Sequence, residues 1–243
     1  MRSPVLTATI ILALCCTLFT LAAVLQSAVS PVSDSPRVQQ NFHGQLLDPI
    51  PVPVTLGVMS RCPDALLCES VFDEVLDIVG HAKVDLSLTF IARLDASEPT
   101  FGATCMHGPE ECAGNVHELC VAKHTASSSV WWPFLLCLNR QGRNRIGIEA
   151  GAKHCAELTN IDWVGSGIEA CVKGSEGPRL LRESAAYTEE LGVKRLNRKS
   201  CTILINDKVR CIHDGEWYQC DAGHEPSDFV DTINSEYDRL NAS

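Results

Sequence analysis

The sequence predicts an α/β fold, because segments with strand-like and helix-like patterns follow one another in a simple order. Residues 52–59 form a short apolar segment that is typical of a strand. Residues 63–80 then repeat apolar side chains at helical spacing, and residues 84–94 alternate apolar and polar side chains like a second strand. The ordered part of the chain is therefore predicted to begin with a strand–helix–strand unit.

The middle of the chain is predicted to be largely helical. Residues 110–123 and 130–138 have helical patterns, and Pro133 is expected to break the second of them. A polar section follows, after which residues 185–191 close another helix.

The last part of the sequence predicts a hairpin and a helix. Residues 202–205 and 209–212 are apolar segments joined by the turn residues 206–208, and residues 227–240 place apolar side chains on one side of a helix. A strand–helix–strand unit, a helical middle, a hairpin and a final helix are the order of a thioredoxin-like fold with an inserted, disulfide-rich helical region.

The N-terminus predicts entry into the secretory pathway. Arg2 precedes an uncharged apolar segment, residues 5–25, which approaches the roughly 20 residues that span a bilayer. Residues 1–28 are therefore a cleaved signal peptide or a retained single-pass anchor that leaves the domain in the lumen. Residues 29–50 are predicted to be a flexible spacer, and residues 51–243 the folded domain.

Composition narrows the classes of partner. The formal net charge is −10 and Lys and Arg form no cluster, so nucleic acid is not an expected partner. A glycosylation sequon begins at Asn241, near the C-terminus. The sequence gives no prediction of the oligomeric state.

Cysteine usage agrees with an oxidising compartment, which would be the lumen of the secretory pathway or of a lysosome or vacuole. Two of the 13 cysteines lie in the targeting segment. The other eleven are an odd number, so at least one must stay free or pair outside the chain. These are Cys62, Cys68, Cys105, Cys112, Cys120, Cys137, Cys155, Cys171, Cys201, Cys211 and Cys220. Cys211 and Cys220 are expected to clamp the loop between them.

One stretch, residues 105–120, carries a family resemblance. Its residues match a signature of Cys-x-His-Gly, Glu-Cys, Asn and Glu-x-Cys at Cys105, His107, Gly108, Glu111, Cys112, Asn115, Glu118 and Cys120. The chain thereby resembles the gamma-interferon-inducible lysosomal thiol reductase (GILT) family over roughly residues 52–220. The resemblance implies a thioredoxin-like fold, thiol–disulfide exchange on protein disulfides and no cofactor.

The signature itself is expected to be a scaffold. Cys112 and Cys120 are eight residues apart on one helix, too far to bond each other, so each should join the helix to another segment. Cys105 should anchor the preceding loop, and His107 should organise it through hydrogen bonds. A zinc site would use His107, His117, Cys112 and Cys120, but their spacing fits neither a finger nor a ribbon, and no metal is predicted.

The expected redox site lies at the start of the first helix, where GILT proteins resemble thioredoxins in carrying Cys-x-x-Cys. Cys62 fits the nucleophile, since a helix N-terminus stabilises a thiolate, but Ala65 occupies the place of the second cysteine. Arg61 is expected to favour the thiolate through its positive charge, and Asp64 to oppose it.

Two other cysteines are candidates for the resolving role. Cys68 lies six residues beyond Cys62, a rise of about 9 Å on an intact helix, which exceeds the span of a disulfide. Cys201 occupies the place of the proline that, in thioredoxin-like folds, packs against the active-site cysteines. The predicted catalytic set is therefore Cys62, Cys68 and Cys201, with Cys62–Cys201 as a candidate redox pair.

Two functions follow from these observations. The first is a thiol–disulfide oxidoreductase that reduces protein disulfides with Cys62 as its nucleophile. The second is a redox-inactive, disulfide-stapled scaffold that binds another protein, because the usual resolving cysteine is missing. A free thiol at Cys62 would favour the first function, and an unreactive bridge there would favour the second.

Overall fold

A computed structural model describes residues 48–191 and 199–242. The predicted targeting segment, residues 1–28, and most of the predicted spacer lie outside the described residues. Among the residues that are described, no helix has the length and apolar character needed to cross a bilayer.

The described chain forms seven strands, seven α-helices and one short 3-10 helix (His81–Lys83), in the order expected for an α/β fold with a helical insertion. The strands are β1 (Val52–Val58), β2 (Val84–Phe90), β3 (Arg93–Leu94), β4 (Ala103–Thr104), β5 (Thr202–Ile205), β6 (Lys208–His213) and β7 (Trp217–Tyr218). The helices are α1 (Pro63–Val79), α2 (Pro109–His124), α3 (Ser128–Gln141), α4 (Glu149–Leu158), α5 (Ile168–Lys173), α6 (Glu176–Glu190) and α7 (Pro226–Asn241).

The main sheet has the strand order β2-β1-β5-β6-β7. Strand β1 pairs in parallel with β2, in a register that places Val52 opposite Val84, and pairs antiparallel with β5, placing Leu56 opposite Ile203. A parallel pair needs a crossover, and α1 supplies it. The sheet and its crossover make the fold thioredoxin-like, as the sequence predicts.

The insertion between β4 and β5 is helical and rich in disulfides. The bridge Cys105–Cys112 ties the entry loop to α2, Cys120–Cys171 joins α2 to α5, and Cys137–Cys155 joins α3 to α4. Cys112 and Cys120 therefore bond separate partners, which confirms the expectation that each joins α2 to another segment.

The predicted second strand, residues 84–94, is too long. Strand β2 ends at Phe90, and the N–H of Ile91 donates to the carbonyl of Val58 at 2.8 Å, which closes the pairing with β1. Arg93 and Leu94 then leave the main sheet and pair with β4 in a separate two-stranded ladder. Alternation of side chains continues through this change of partner, so the sequence pattern does not reveal it.

The prediction that Pro133 breaks a helix is wrong, because α3 runs through it. Proline removes the hydrogen bond to the carbonyl four residues earlier, which here belongs to Ser129 on the exposed surface, where water can replace it. Trp132 and Phe134, on either side of the proline, are almost completely buried, and their packing holds the helix.

The polar section that the sequence left unassigned contains α4 and α5, and α6 begins nine residues before the predicted start at residue 185. Both missed helices are short, and each is bonded to a neighbouring helix, α4 through Cys155 and α5 through Cys171. Short helices depend on such tertiary contacts, since they are marginal in isolation.

Candidate functional site

The candidate thiol lies where the first strand gives way to the first helix. Strand β1 ends at Val58, α1 begins at Pro63, and Cys62 is the N-cap residue between them. Its backbone N–H donates to the carbonyl of Met59 at 2.8 Å, and 6% of the residue is exposed. The predicted strand-to-helix junction at Cys62 is therefore confirmed.

Residues of the helical insertion hold this junction in place. The N–H of Ser60 donates to Oδ1 of Asn115 at 3.1 Å, and its hydroxyl donates to the carbonyl of Glu111 at 3.2 Å. On the opposite side, the N–H of Met59 donates to the hydroxyl of Ser200 at 3.0 Å. Two residues of the signature thus position the loop that carries Cys62, which gives the signature its expected role as a scaffold.

Among the described residues, Cys62 is the one cysteine without a disulfide partner. Cys68 bonds Cys201, with a distance of 6.2 Å between their α-carbons, so the predicted pair Cys62–Cys201 is not the pair that the structure contains. The three predicted site residues nevertheless converge, since the Cys62 sulfur lies 3.7 Å from the carbonyl oxygen of Ser200. The peptide bond between Ser200 and Cys201 is cis.

The surroundings of the Cys62 thiol act on its pKa in opposite directions. Burial raises the pKa above the usual range of a cysteine, and hydrogen bonds from the backbone of Ala65, the side chain of Ser200 and the backbone of Asp64 lower it. The negative charge of Asp64, whose Oδ2 lies 3.7 Å from the sulfur, raises it again. Burial is the largest of these effects.

Arg61 does not act on the thiol as the sequence predicts. Its guanidinium turns away and donates to the carbonyls of Ile146, at 3.0 Å, and Asn144, at 3.1 Å. It also lies 3.7 Å from the carboxylate of Glu110. The positive charge of Arg61, which the sequence predicts to act on the Cys62 thiol, is therefore directed at backbone carbonyls of the insertion.

Sequence reasoning missed one residue of the site, His213. It closes β6, is 7% exposed, and exchanges two backbone hydrogen bonds with Cys201, of 2.8 and 2.9 Å. Its Nδ1 lies 2.7 Å from Oδ1 of Asp64, although the ring is not oriented for a hydrogen bond, and its ring packs edge-on to Trp217. The sequence predicts the hairpin of β5 and β6 but ends it at residue 212, and only the pairing of β5 with β1 brings this end of the hairpin to α1.

Several residues outside the thiol site have the roles that the sequence predicts. Cys211 and Cys220 bond each other and clamp the loop between them. His107 contacts the carboxylate of the buried Glu111 and so organises the entry to α2. Cys112 bonds Cys105, and Cys120 bonds Cys171.

A second group of ionisable side chains is buried on the side of α1 that faces the insertion. Oε2 of Glu69 accepts a hydrogen bond from Asn139 of α3 at 2.6 Å, and burial raises the pKa of Glu69 to about 8. Burial, and then the charges of Glu69 and Glu111, raise the pKa of Glu118 well above its ordinary value. One oxygen of Glu69 and one of Glu118 accept no hydrogen bond from the described residues.

The sequence is similar to those of two insect proteins. The curated GILT-like protein 1 of Drosophila melanogaster is 30% identical over 175 residues, which are 65% of this chain and 66% of that protein. A gamma-interferon-inducible lysosomal thiol reductase-like protein of Anopheles gambiae is 27% identical over 154 residues, 58% of this chain and 62% of that protein. The matched segment thus spans slightly less than two thirds of the length of each relative.

Among solved structures, the reduced form of the disulfide bond oxidoreductase DsbG of Mycobacterium tuberculosis has a TM-score of 0.49 and 15% identity, covering 79% of this chain and 84% of that one. The family model described as gamma interferon inducible lysosomal thiol reductase (GILT) matches residues 53–159, which include Cys62 and the whole signature from Cys105 to Cys120. Through these residues, the chain is similar to the GILT family.

Proposed function

We propose that this protein is a thiol–disulfide oxidoreductase that acts on protein disulfides, with Cys62 as the nucleophile. The observation that supports this most is an unpaired thiol at the N-cap of α1, hydrogen-bonded to the backbone amide of Ala65. Amides at a helix N-terminus stabilise a thiolate, and the thiolate is the attacking form of cysteine.

The chemistry begins when the Cys62 thiolate attacks one sulfur of a substrate disulfide. A new disulfide forms between Cys62 and the substrate, the substrate's own disulfide breaks, and the departing sulfur leaves as a thiolate that takes a proton from water. Because Cys68 and Cys201 are bonded to each other, neither is a free thiol that could resolve this intermediate.

Resolution therefore requires a thiol from outside the described residues. For net reduction, a small-molecule thiol attacks the Cys62 sulfur, releases the second substrate thiolate and leaves Cys62 in a mixed disulfide with that small molecule. A second molecule of the thiol then restores Cys62, so two small thiols are oxidised to one disulfide for each protein disulfide reduced.

The surface beside the thiol suits a polypeptide substrate. A pocket next to the end of β1 is lined mainly by apolar groups, and Met59, whose carbonyl accepts from the N–H of Cys62, forms part of it. Met106 at its rim is 72% exposed. The other lining residues are Ile91, Ala92, Arg93, Thr104 and Cys105. We propose that an apolar side chain next to the substrate's cysteine packs here.

The proposed compartment is the lumen of the secretory pathway or of a lysosome. The support is the number of disulfides in the described residues, because such bonds persist in oxidising compartments, together with the apolar segment at residues 5–25.

The alternative function, protein binding without redox turnover, is favoured by one observation: Cys62 is only 6% exposed, and no other free thiol lies among the described residues. The two functions differ in the reactivity of Cys62 in the folded protein. An oxidoreductase needs a thiol that reacts with reagents of modest size before unfolding, and a scaffold does not.

The test measures insulin reduction with a small-molecule thiol as reductant, for the wild-type chain and for Cys62→Ser. We expect the substitution to reduce the rate to that of the thiol alone. As a control, Cys62 alkylation in the folded wild-type protein is followed by mass spectrometry of its peptide. Insulin reduction that survives Cys62→Ser, or a Cys62 that is alkylated only after unfolding, would contradict the proposed function.

A further inference from the structure

His213 lies in a position from which it can act on Cys62 without touching it. Asp64 is the connecting residue, because its two carboxylate oxygens face different groups. Oδ2 lies 3.7 Å from the Cys62 sulfur, and Oδ1 lies 2.7 Å from Nδ1 of His213. Oδ1 also accepts a hydrogen bond from the N–H of Gly215 at 2.9 Å, which fixes the orientation of the carboxylate.

The histidine is held rigidly in this place. The backbone of His213 exchanges two hydrogen bonds with that of Cys201. Because Cys201 is bonded to Cys68 of α1, this disulfide connects β6 to the helix that carries Asp64. The ring of His213 packs against Trp217, with 4.7 Å between the ring centroids. Nδ1 is buried and forms no hydrogen bond with the described residues, so the carboxylate of Asp64 is the acidic group that it faces.

The charge of this pair matters to the thiol. The negative charge of Asp64 raises the pKa of Cys62 and so disfavours the thiolate. A positive charge on the imidazole, 2.7 Å from the other oxygen, would offset that charge. Histidine side chains change charge between about pH 5 and pH 8.

We propose that His213 is a positioning residue that controls the ionisation of Cys62 through Asp64. When the imidazole is protonated, it cancels the charge of Asp64 and the thiolate becomes more accessible at acidic pH. When the imidazole loses its proton, the uncompensated carboxylate disfavours the thiolate. This inference rests on the proposed role of Cys62 as the nucleophile.

The other charged groups near His213 come from the chain next to β6 and from the segment before α7. Lys199 and Asp214 form an ion pair with each other, so their charges largely cancel. His224 stacks on Trp217, at 5.4 Å between ring centroids, and contacts Glu225. Neither pair touches Asp64, which leaves His213 as the cation that can reach this carboxylate among the described residues.

The test is the pH profile of Cys62 alkylation by iodoacetamide between pH 5 and pH 9, read from the mass of the Cys62 peptide in the full chain. We expect a two-step profile for the wild-type protein. His213→Gln should remove the acidic step and lower the rate below pH 6 by about threefold, less than the tenfold of a one-unit change in thiol pKa, because the charge of Asp64 is the smallest of the effects on that pKa.

Asp64→Asn should raise the rate near neutral pH, since it removes the opposing charge, and should also give a single step. In the Asp64→Asn background, adding His213→Gln should change the rate less than twofold, because the carboxylate through which His213 acts on the thiol is already absent. His224→Gln is the matched control, since it alters the histidine on the other face of Trp217, and it should keep the two-step profile. His213→Asn serves as a second variant if His213→Gln does not fold.

A folded His213 variant with the wild-type profile below pH 6 would overturn the inference, as would equal effects of His213→Gln with and without Asp64. Loss of insulin reduction in Cys62→Ser together with an unchanged profile in the His213 variants would reject this inference and leave the proposed function standing. Retained reduction in Cys62→Ser would reject the proposed function itself.

Discussion

The two buried faces of α1 are held by different kinds of contact. One face, which carries Cys68 and Phe72, meets the disulfide to Cys201 and the ring of Phe229 in α7 at 5.3 Å between centroids. The other face carries Glu69 and Asp73, which bond to side chains of α3 in the insertion. The first face is apolar and covalently closed, and the second is polar and contains a carboxyl group that titrates.

The difference between the two faces of α1 indicates how pH can affect the stability of the protein. Contacts on the first face do not change with protonation, and they fix the position of the thiol relative to β5 and β6. The second face buries the carboxyl group of Glu69, and burial disfavours its ionised form, so the stability of the protein should fall as the pH rises.

The largest expected effect comes from the covalent face. Replacing both cysteines of its bridge, in Cys68→Ala/Cys201→Ala, removes a crosslink between residues 133 positions apart. Loop-closure entropy then predicts a loss of about 5 kcal/mol in the free energy of unfolding. Urea unfolding under non-reducing conditions measures it.

The control for that prediction is Cys211→Ala/Cys220→Ala, which opens a bridge over nine positions and should cost about 2.5 kcal/mol. If the two double variants lose equal stability, the bridge between Cys68 and Cys201 does not stabilise the protein through the long loop that it closes. The proposed difference between the two faces of α1 would then be wrong.

The second effect concerns the polar face and its dependence on pH. The folded protein holds a proton on Glu69 up to about pH 8, whereas the unfolded chain releases it above about pH 4.5. Stability is therefore complete below about pH 4.5 and falls as the pH rises to about 8, at up to roughly 1.4 kcal/mol per unit for one proton. Glu69→Gln should flatten this slope in urea unfolding between pH 5 and pH 8.

Glu74→Gln is the matched control, because this glutamate lies on the same helix and is exposed. It should leave the slope as it is in the wild-type protein. A slope that persists unchanged in Glu69→Gln would show that another group carries the pH dependence.

The smallest effect tests the hydrogen bond between Trp132 and Asp73. Nε1 of the buried Trp132 donates to Oδ1 of Asp73 at 3.0 Å. Asp73→Ala leaves that N–H without an acceptor and should lower the free energy of unfolding by about 1–3 kcal/mol at every pH. Asp77→Ala, at an exposed position one turn later, should change it by less than about 0.5 kcal/mol. Equal losses in the two variants would mean that the bond contributes nothing to this face.

Local pattern was enough to predict most of the thioredoxin-like unit. Strand β1, helix α1, the hairpin of β5 and β6 and helix α7 all lie within a few residues of their predicted bounds, because each has a clear period of apolar side chains. The break between β2 and β3 and the helices around Cys155 and Cys171 were not predicted, because partners far along the chain decide them.

The sequence by itself determined the position of Cys62 at a helix N-terminus, the odd number of cysteines, which requires at least one to stay free or to pair outside the chain, and the signature that is expected to be a scaffold. These follow from order and spacing along the chain. Only the tertiary structure decided that Cys68 bonds Cys201, that Arg61 turns away and that His213 reaches Asp64. The reason is physical: disulfide choice and side-chain electrostatics depend on distances of a few ångströms, and the pairing of distant strands sets those distances.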